Sequence, residues 1–226
     1  MFIFNSILNR LRNNHIPWLT DLQYYGFARP NRLLHIGANA GQEATAYAAK
    51  AIEAWHVEAN PSTYQMLSET CRSLPNQHSI NACITNKNGE NLTFFVANND
   101  SLSSSILRLG RHMIAHPSVK VEKEINIEST TVDGLLSTGQ IPSNIEFLIL
   151  DVQGAEALVL SGAKSFLESQ DLIGMLVETA VTPLYEDGCS YLEICELLAS
   201  FNFHLAKLSF NREGWCDALF LRKYWP

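Results

Sequence analysis

His35-Ile36-Gly37-Ala38-Asn39-Ala40-Gly41-Gln42 is the stretch of this chain whose residue types and spacing are best suited to holding a ligand. It follows the apolar pair Leu33-Leu34 and opens onto the alanine-rich segment Glu43 to Ala51, so a buried strand breaks at small residues and becomes a helix. Gly37 and Gly41 let the backbone turn tightly and approach a ligand where a Cβ would stand in the way. The helix beyond aims its free N–H groups and positive dipole end at anything anionic. Glu58, seventeen residues after Gly41 in Val57-Glu58-Ala59-Asn60-Pro61, falls where a carboxylate at the end of the next strand accepts hydrogen bonds from ribose hydroxyls. The unit reads as a site for a nucleoside-containing cofactor.

The spacing of the loop narrows the choice. Gly-x-x-x-Gly is not the Gly-x-Gly-x-x-Gly that brings a backbone against a pyrophosphate, and Asn39 stands where a middle glycine is expected. No Gly-Lys-Ser/Thr is present to hold a triphosphate. A ribose with a small polar tail suits such a loop better than a dinucleotide does, and S-adenosylmethionine answers that description. The plainer alternative is a strand–turn–helix joint whose glycines serve only close packing.

Further along, Phe147-Leu148-Ile149-Leu150 is a continuous apolar run ending at Asp151, and Leu172 to Glu178 is another buried strand. Asp151 is the leading candidate for a catalytic or cofactor-binding carboxylate, because a carboxylate there is costly without a partner. Capping of the helix after Gly154 is its structural alternative. Glu178 is a candidate base or acceptor ligand, with a structural ion pair as the other reading. His112 and His116 follow the serine run Ser103-Ser104-Ser105 in a polar loop, where solvated histidines are expected more often than bases. His35 is expected to point at the cofactor tail, with a core histidine as the alternative. Asp151, Glu156 and Glu178 lack a strong metal-ligand spacing, so no metal site is expected.

These residues are positioned by an alternation of strands and helices. The pattern predicts strands at Leu33–Ile36, Ala54–Glu58, His78–Ile84 and Leu92–Val96, with a half-exposed strand through Val119 to Ile127. Helices are predicted from Gln42 to Ala51, from Pro61 to Leu74, around Val132 to Leu136, from Ala155 to Leu167 and from Tyr191 to Phe201. Ser101 to Pro117 reads as loop. Phe203–Phe210 and Ala218–Leu221, joined by Asn211-Arg212-Glu213-Gly214, form a closing antiparallel hairpin. Strand–helix alternation with a parallel core implies helices on both faces of a sheet, with ligands beyond the carboxyl ends of its strands. Glu58, Asp151 and Glu178 then line one edge together with the glycine loop.

The 226 residues suit one domain with a single sizeable core, an N-terminal helical segment over 1–30 preceding the sheet over 31–226. A net charge of −7 without Lys/Arg blocks argues against a nucleic-acid partner. Five cysteines without a Cys-x-x-Cys pair fit a reduced, cytoplasmic protein. No apolar run reaches the ~20 residues of a membrane span. Met1 to Leu11 reads as a helix whose Phe4, Ile7, Leu8 and Leu11 pack onto the domain or a second subunit, which would make a homodimer.

With those residues in place, the chain from about Tyr25 onward resembles the FkbM family of class I S-adenosylmethionine-dependent methyltransferases. The resemblance is carried by Gly26-Phe27-Ala28-Arg29-Pro30, Ile36-Gly37-Ala38-Asn39-Ala40-Gly41, Val57-Glu58-Ala59-Asn60-Pro61 and Ser103-Ser104-Ser105, then Thr130-Thr131-Val132-Asp133 and Leu150-Asp151-Val152-Gln153-Gly154-Ala155-Glu156. It implies an α/β fold: a Rossmann-like seven-stranded sheet, mostly parallel with a C-terminal antiparallel hairpin and helices on both faces. It implies methyl transfer to a hydroxyl of a sugar, glycan or natural product. The cofactor set becomes His35, Gly37, Ala38, Asn39, Gly41, Gln42, Glu58, Ala59, Ala82, Cys83 and Asp151, the acceptor set Ser104, Gln153 and Glu178, and the catalytic pair Asp151 and Glu178. Two positions depart from the family pattern: His35 replaces the usual Asp at the end of the first strand, and Gln153 replaces the Glu of Asp-Val-Glu-Gly. A cofactor-binding protein without turnover is a second reading. A nicotinamide-dependent oxidoreductase is a third, disfavoured by the missing third glycine and by the closing hairpin.

Overall fold

The computed structural model describes residues 16–210 and 214–222. The helix expected at Met1–Leu11 and the turn residues Asn211 to Glu213 lie outside the described residues. In chain order the elements are α1 (Pro17–Tyr24), β1 (Arg32–Ile36), α2 (Ala44–Ala49), β2 (Glu53–Glu58), α3 (Pro61–Arg72) and β3 (Gln77–Asn81). Then come β4 (Cys83–Ile84), β5 (Asn91–Ala97), α4 (His112–Ala115), β6 (Val121–Thr130), α5 (Val132–Ser137) and β7 (Phe147–Leu150). The chain finishes with α6 (Glu156–Ser161), α7 (Lys164–Glu168), β8 (Gly174–Ala180), α8 (Tyr191–Ala199), β9 (Phe203–Phe210) and β10 (Trp215–Arg222).

Seven strands form one sheet in the order β3-β2-β1-β7-β8-β10-β9. The first five are parallel, and β10 runs antiparallel to both β8 and β9. The chain winds outward from β1 to β3, then returns to the other side of β1 as β7. That reversal opens a crevice between β1 and β7 at their carboxyl ends, the place where open α/β sheets bind ligands. A second sheet, β4-β6-β5, is inserted between β3 and β7.

Period-two alternation sorts the side chains of the buried strands into two layers. Leu33 of β1 and Phe147 and Ile149 of β7 pack with Trp18 and Leu22 of α1 and Tyr47 of α2. The Trp18 ring stacks on Phe147 with centroids 4.4 Å apart, a pairing worth ~0.5–1.5 kcal/mol beyond its buried area. Leu34, Ile36, Leu148 and Leu150 face the opposite layer, made by Val159, Leu160, Phe166, Ile194 and Leu198. Helices therefore cover both faces, as the alternation requires. No described helix is long and apolar enough to cross a membrane, and all five cysteines are free thiols.

The predicted elements differ from the observed ones where a partner rather than a pattern decides. The strand expected over His78–Ile84 is two: β3 ends at Asn81, Ala82 N donates to Glu58 O, and Cys83–Ile84 pair instead with Ser129–Thr130 of β6. The helix expected over Ala155–Leu167 breaks at Gly162, where a Cβ would lie 2.3 Å from the Thr85 carbonyl oxygen. The Ser101–Pro117 loop contains the short helix α4. The last strand begins at Trp215, three residues before the expected start, and so takes in Asp217.

Candidate active site

The loop after β1 owes its shape to three residues in the left-handed region. Gly37 (φ 84°) sends its N–H to Val57 O, and a Cβ there would fall 1.7 Å from the Asp151 carbonyl oxygen. Only glycine lets the loops after β1 and β7 lie this close. Asn39 (φ 46°) braces its turn with its own side chain: Oδ1 accepts from Ala40 N at 2.7 Å and from Gln42 Nε2 at 2.9 Å, and Nδ2 donates to Asp100 O. Asparagine is one of the few residues that tolerates this conformation. Gly41 (φ 80°) rests on α3, where a Cβ would be 2.8 Å from Leu67 Cδ1, and Ala38 is buried against Leu67 and Cys71.

Glu58, at the end of β2, is clamped by the same loop. Its Oε2 accepts from Asn39 N at 3.0 Å and its Oε1 from Asn60 N at 2.8 Å. Burial pushes its carboxyl up to about 7 despite these N–H groups, and the charge of Asp151 adds to the rise. Gly37, Asn39, Glu58 and Ala59 border a cavity that opens to solvent, enclosing roughly 640 Å³ when its open mouth is counted. Ala82, Cys83, Ile84, Phe94, Leu102 and Ile106 give it an apolar wall, and Ser104, Asp151 and Gln153 add polar groups. Part of the serine run spans the rim. Asn60 Nδ2 donates to Ser101 Oγ, which lies 2.7 Å from Ser104 Oγ, and Ser104 Oγ accepts from Ala97 N.

The carboxylates gather where β7 and β8 end and β10 begins. Gln153 (φ 57°) donates from Nε2 to Asp151 Oδ1 at 2.6 Å and to Glu178 Oε1 at 2.8 Å, and its Oε1 accepts from the Tyr185 hydroxyl at 2.7 Å. Burial raises Asp151 to about 6, opposed by the Gln153 hydrogen bond and aided by Asp217. Glu178 is raised well above the carboxylate range, first by burial and then by Asp151 and Asp217. Asp217 sits directly opposite Glu178 in the β8–β10 register. A smaller recess bordered by Glu178, Tyr185 and Trp215 adjoins these groups, and Gln153 is the residue it shares with the larger one.

The structure thus brings Gly37, Asn39, Glu58, Ala59, Ala82, Cys83, Asp151, Ser104 and Gln153 to the larger cavity and Glu178 to the smaller one. Four expected cofactor residues do not line it. Ala38 and Gly41 pack the loop on α3, and Gln42 braces Asn39. His35 shares the face of Leu33, beneath the sheet, with ring centroids 5.8 Å from His56 and 6.1 Å from Tyr47. Burial, then His56, lowers it to about 3, so it is a neutral core histidine that does not line the cavity. The helix-cap reading of Asp151 gives way to Glu156, whose Oε1 accepts from Val152 N and Gly154 N and shapes the turn before α6. His112 is not solvated: it is 1% exposed, lies 3.0 Å from Ser103 Oγ and packs on Tyr185, Trp215 and His116. Tyr185 and Asp217 carry no sequence signal, one in an unpatterned segment and the other at a misplaced strand start. Asn60, which caps α3 and holds Ser101 at the rim, was not among the expected site residues.

Comparison with known proteins bears on the family and the fold. The family model described as the methyltransferase FkbM domain matches residues 35–205. A 2-O-methyltransferase, NoeI, from Sinorhizobium fredii (strain NBRC 101917 / NGR234) is 28% identical over 177 residues, covering 75% of this chain and 71% of that protein. The magnesium protoporphyrin IX methyltransferase ChlM of Synechocystis PCC 6803 superposes in its SAH-bound form with a TM-score of 0.56 at 8% identity, over 99% of this chain and 88% of that one. Its SAM-bound form gives 0.53 at 9% identity, over 96% and 81%. At such identities these structures speak for the fold alone.

Proposed function

Since the chain belongs to the FkbM methyltransferase family and is an S-adenosylmethionine-dependent methyltransferase, we propose that its acceptor is a hydroxyl oxygen on a sugar, glycan or natural product. The observation that carries this reading is the junction at Gln153: one cavity holds Glu58 and Asp151, the adjoining one holds Glu178, Tyr185 and Trp215, and Gln153 borders both. A cofactor in the first and an acceptor in the second meet beside Asp151. The 2-O-methyltransferase activity in the name of the relative supports oxygen as the atom methylated.

The residues present fit the cofactor. Glu58 is a buried carboxyl raised by desolvation, held on its loop side by backbone N–H groups while bordering the cavity. Two ribose hydroxyls are the donors such a group lacks. The apolar wall of Ile84, Phe94 and Leu102 suits a purine ring. When bound, S-adenosylmethionine supplies a methyl carbon on a sulfonium, whose leaving group is neutral and needs no acid.

What remains for the protein is positioning and one proton. Alignment of two reactants is worth up to ~7–11 kcal/mol. Asp151, the less raised carboxyl of the Asp151–Glu178 pair, takes the proton of the acceptor hydroxyl, a contribution of ~10²–10⁴-fold. Trp215 and Tyr185 give the acceptor cavity aromatic walls. The test is incubation with methyl-labelled S-adenosylmethionine and a panel of glycans and polyols, with the product located by fragmentation mass spectrometry. Label on a hydroxyl oxygen is expected. Label confined to nitrogen or carboxylate acceptors would overturn the proposal.

A further inference from the structure

Gln153 stands where the family resemblance leads one to expect glutamate, and its surroundings give that difference a chemical meaning. Its amide nitrogen faces two carboxyl oxygens, Asp151 Oδ1 at 2.6 Å and Glu178 Oε1 at 2.8 Å, while its amide oxygen faces the Tyr185 hydroxyl at 2.7 Å. This orientation pairs a donor with an acceptor at each contact, and the flipped amide would set its oxygen against the ionised Asp151 carboxylate at 2.6 Å. A glutamate at 153 would likewise aim a third acceptor at two others. The Tyr185 hydroxyl, which also contacts Ser103 O at 3.2 Å, fixes the amide from behind.

We propose that Gln153, aimed by the Tyr185 hydroxyl, is a positioning residue that ties Asp151 to Glu178 and keeps Asp151 the ionised member of the pair. The proposal rests on the reading of Asp151 as the base for the acceptor hydroxyl. Two buried carboxyls this close share one site, and like charges disfavour double ionisation. The groups that face the pair are Glu58 from β2, Asp217 and Cys216 from β10, Glu156 from α6, Glu43 before α2 and Tyr185. Asp217 raises both partners, Asp151 and Glu156 raise Glu178 further, and the amide pulls both back down while lying nearer to Asp151, at 2.6 Å, than to Glu178, at 2.8 Å. The proton therefore resides on Glu178, and an oxygen of Asp151 stays free to accept the acceptor's proton. In Gln153→Met the two N–H donors are gone at similar side-chain length, and the left-handed backbone at 153 is strained no more than with glutamine.

The experiment is a carboxyl ¹³C NMR titration of the full chain labelled at Asp and Glu side chains, with the Asp151 signal assigned by its loss in Asp151→Asn. In Gln153→Met the Asp151 midpoint should rise by about one pH unit. The kcat should fall about twofold at pH 7 and about tenfold at pH 5 and recover toward pH 9, with KM for the acceptor changing far less. Tyr185→Phe keeps the buried ring and should move the midpoint in the same direction by less. It decides the matter alone if Gln153→Met does not fold. An Asp151 midpoint unmoved in the folded variants overturns the proposal, as does a kcat loss that persists across the whole pH range. A shifted midpoint in a protein that methylates no hydroxyl would support the coupling while sinking the acceptor reading.

Discussion

Glu58 and Asp151 are both buried carboxyls of one cavity, yet what surrounds them assigns them different work. Glu58 is fixed by two backbone N–H groups and faces the cavity as an acceptor. Glu58→Gln should weaken S-adenosylmethionine binding by ~1–3 kcal/mol in calorimetry, the scale of hydrogen bonds to a charged group. Because its folded pKa is raised to about 7, wild-type affinity should decline as pH falls below 7, and Glu58→Gln should flatten that decline. A decline that survives in the variant would place the titrating group elsewhere. His35 cannot be that group, since it stays neutral down to about pH 3. Asp151→Asn keeps volume and most contacts, so melting should change little while methyl transfer at saturating cofactor drops by ~10²-fold or more. Full activity with lost stability would show a structural carboxyl. The placement of His35 was within reach of the sequence: Leu33 is a core residue, and period two puts residue 35 on its side of the strand and Ile36 on the other. Tyr185 was not, because a single aromatic in an irregular segment has no pattern to betray what it touches.

Loops and strand ends hold the site, and the least tolerant joint is the contact of the two loops after β1 and β7. Gly37→Ala would set a Cβ on the Asp151 carbonyl and hold alanine at φ 84°. It should lower the melting temperature by many degrees and abolish cofactor binding. Gly89→Ala is the control, since that glycine also has positive φ but open space around it. It should cost only the backbone strain, ~1–2 kcal/mol, and leave binding intact. Equal binding by the two variants would mean that the close approach does not shape the cavity. The same packing explains which elements sequence patterning could mark. β1, β2, β7 and α3 follow from apolar runs and from Pro61 in the first turn of the helix. The splits at Ala82 and Gly162 do not, because each depends on a distant partner: Ser129–Thr130 of β6 in one case and the Thr85 carbonyl in the other.

At the scale of the whole molecule the strand order turns separate motifs into one site. Glu58, Asp151 and Glu178 are far apart in sequence and meet because β2, β1, β7 and β8 are neighbours running in one direction. That convergence could be inferred from strand–helix alternation. The addition of Asp217 could not, since it needs the antiparallel register of β10. The result is a fold that carries raised carboxyls, Glu43, Glu58 and Glu156 near 7 and Asp151 near 6, beside lowered histidines, His35 near 3 and His56 and His112 near 4. The two groups oppose each other in pH. Each raised carboxyl stabilises the fold below its unfolded value near 4, and that contribution is lost as pH rises through 6 to 7. Each lowered histidine contributes fully above about 6.5 and loses its contribution as pH falls toward 4. Above 6.5 only the carboxyls act, and between 4.5 and 6.5 the carboxyls, joined by Glu178, outnumber the imidazoles. The melting temperature of the cofactor-free protein should therefore climb as pH is lowered from about 8 to about 5 and turn down below about 4.5. On the proposal that S-adenosylmethionine binds through ionised Glu58, it should add most stability above pH 7, so the melting curves with and without it should diverge as pH rises. Scanning fluorimetry across pH 4 to 9 reads both. A cofactor-free melting temperature that rises steadily from pH 5 to 8 would mean that the buried carboxyls are ionised at little cost, and with that the reason for a donor-rich ligand at Glu58 would be gone.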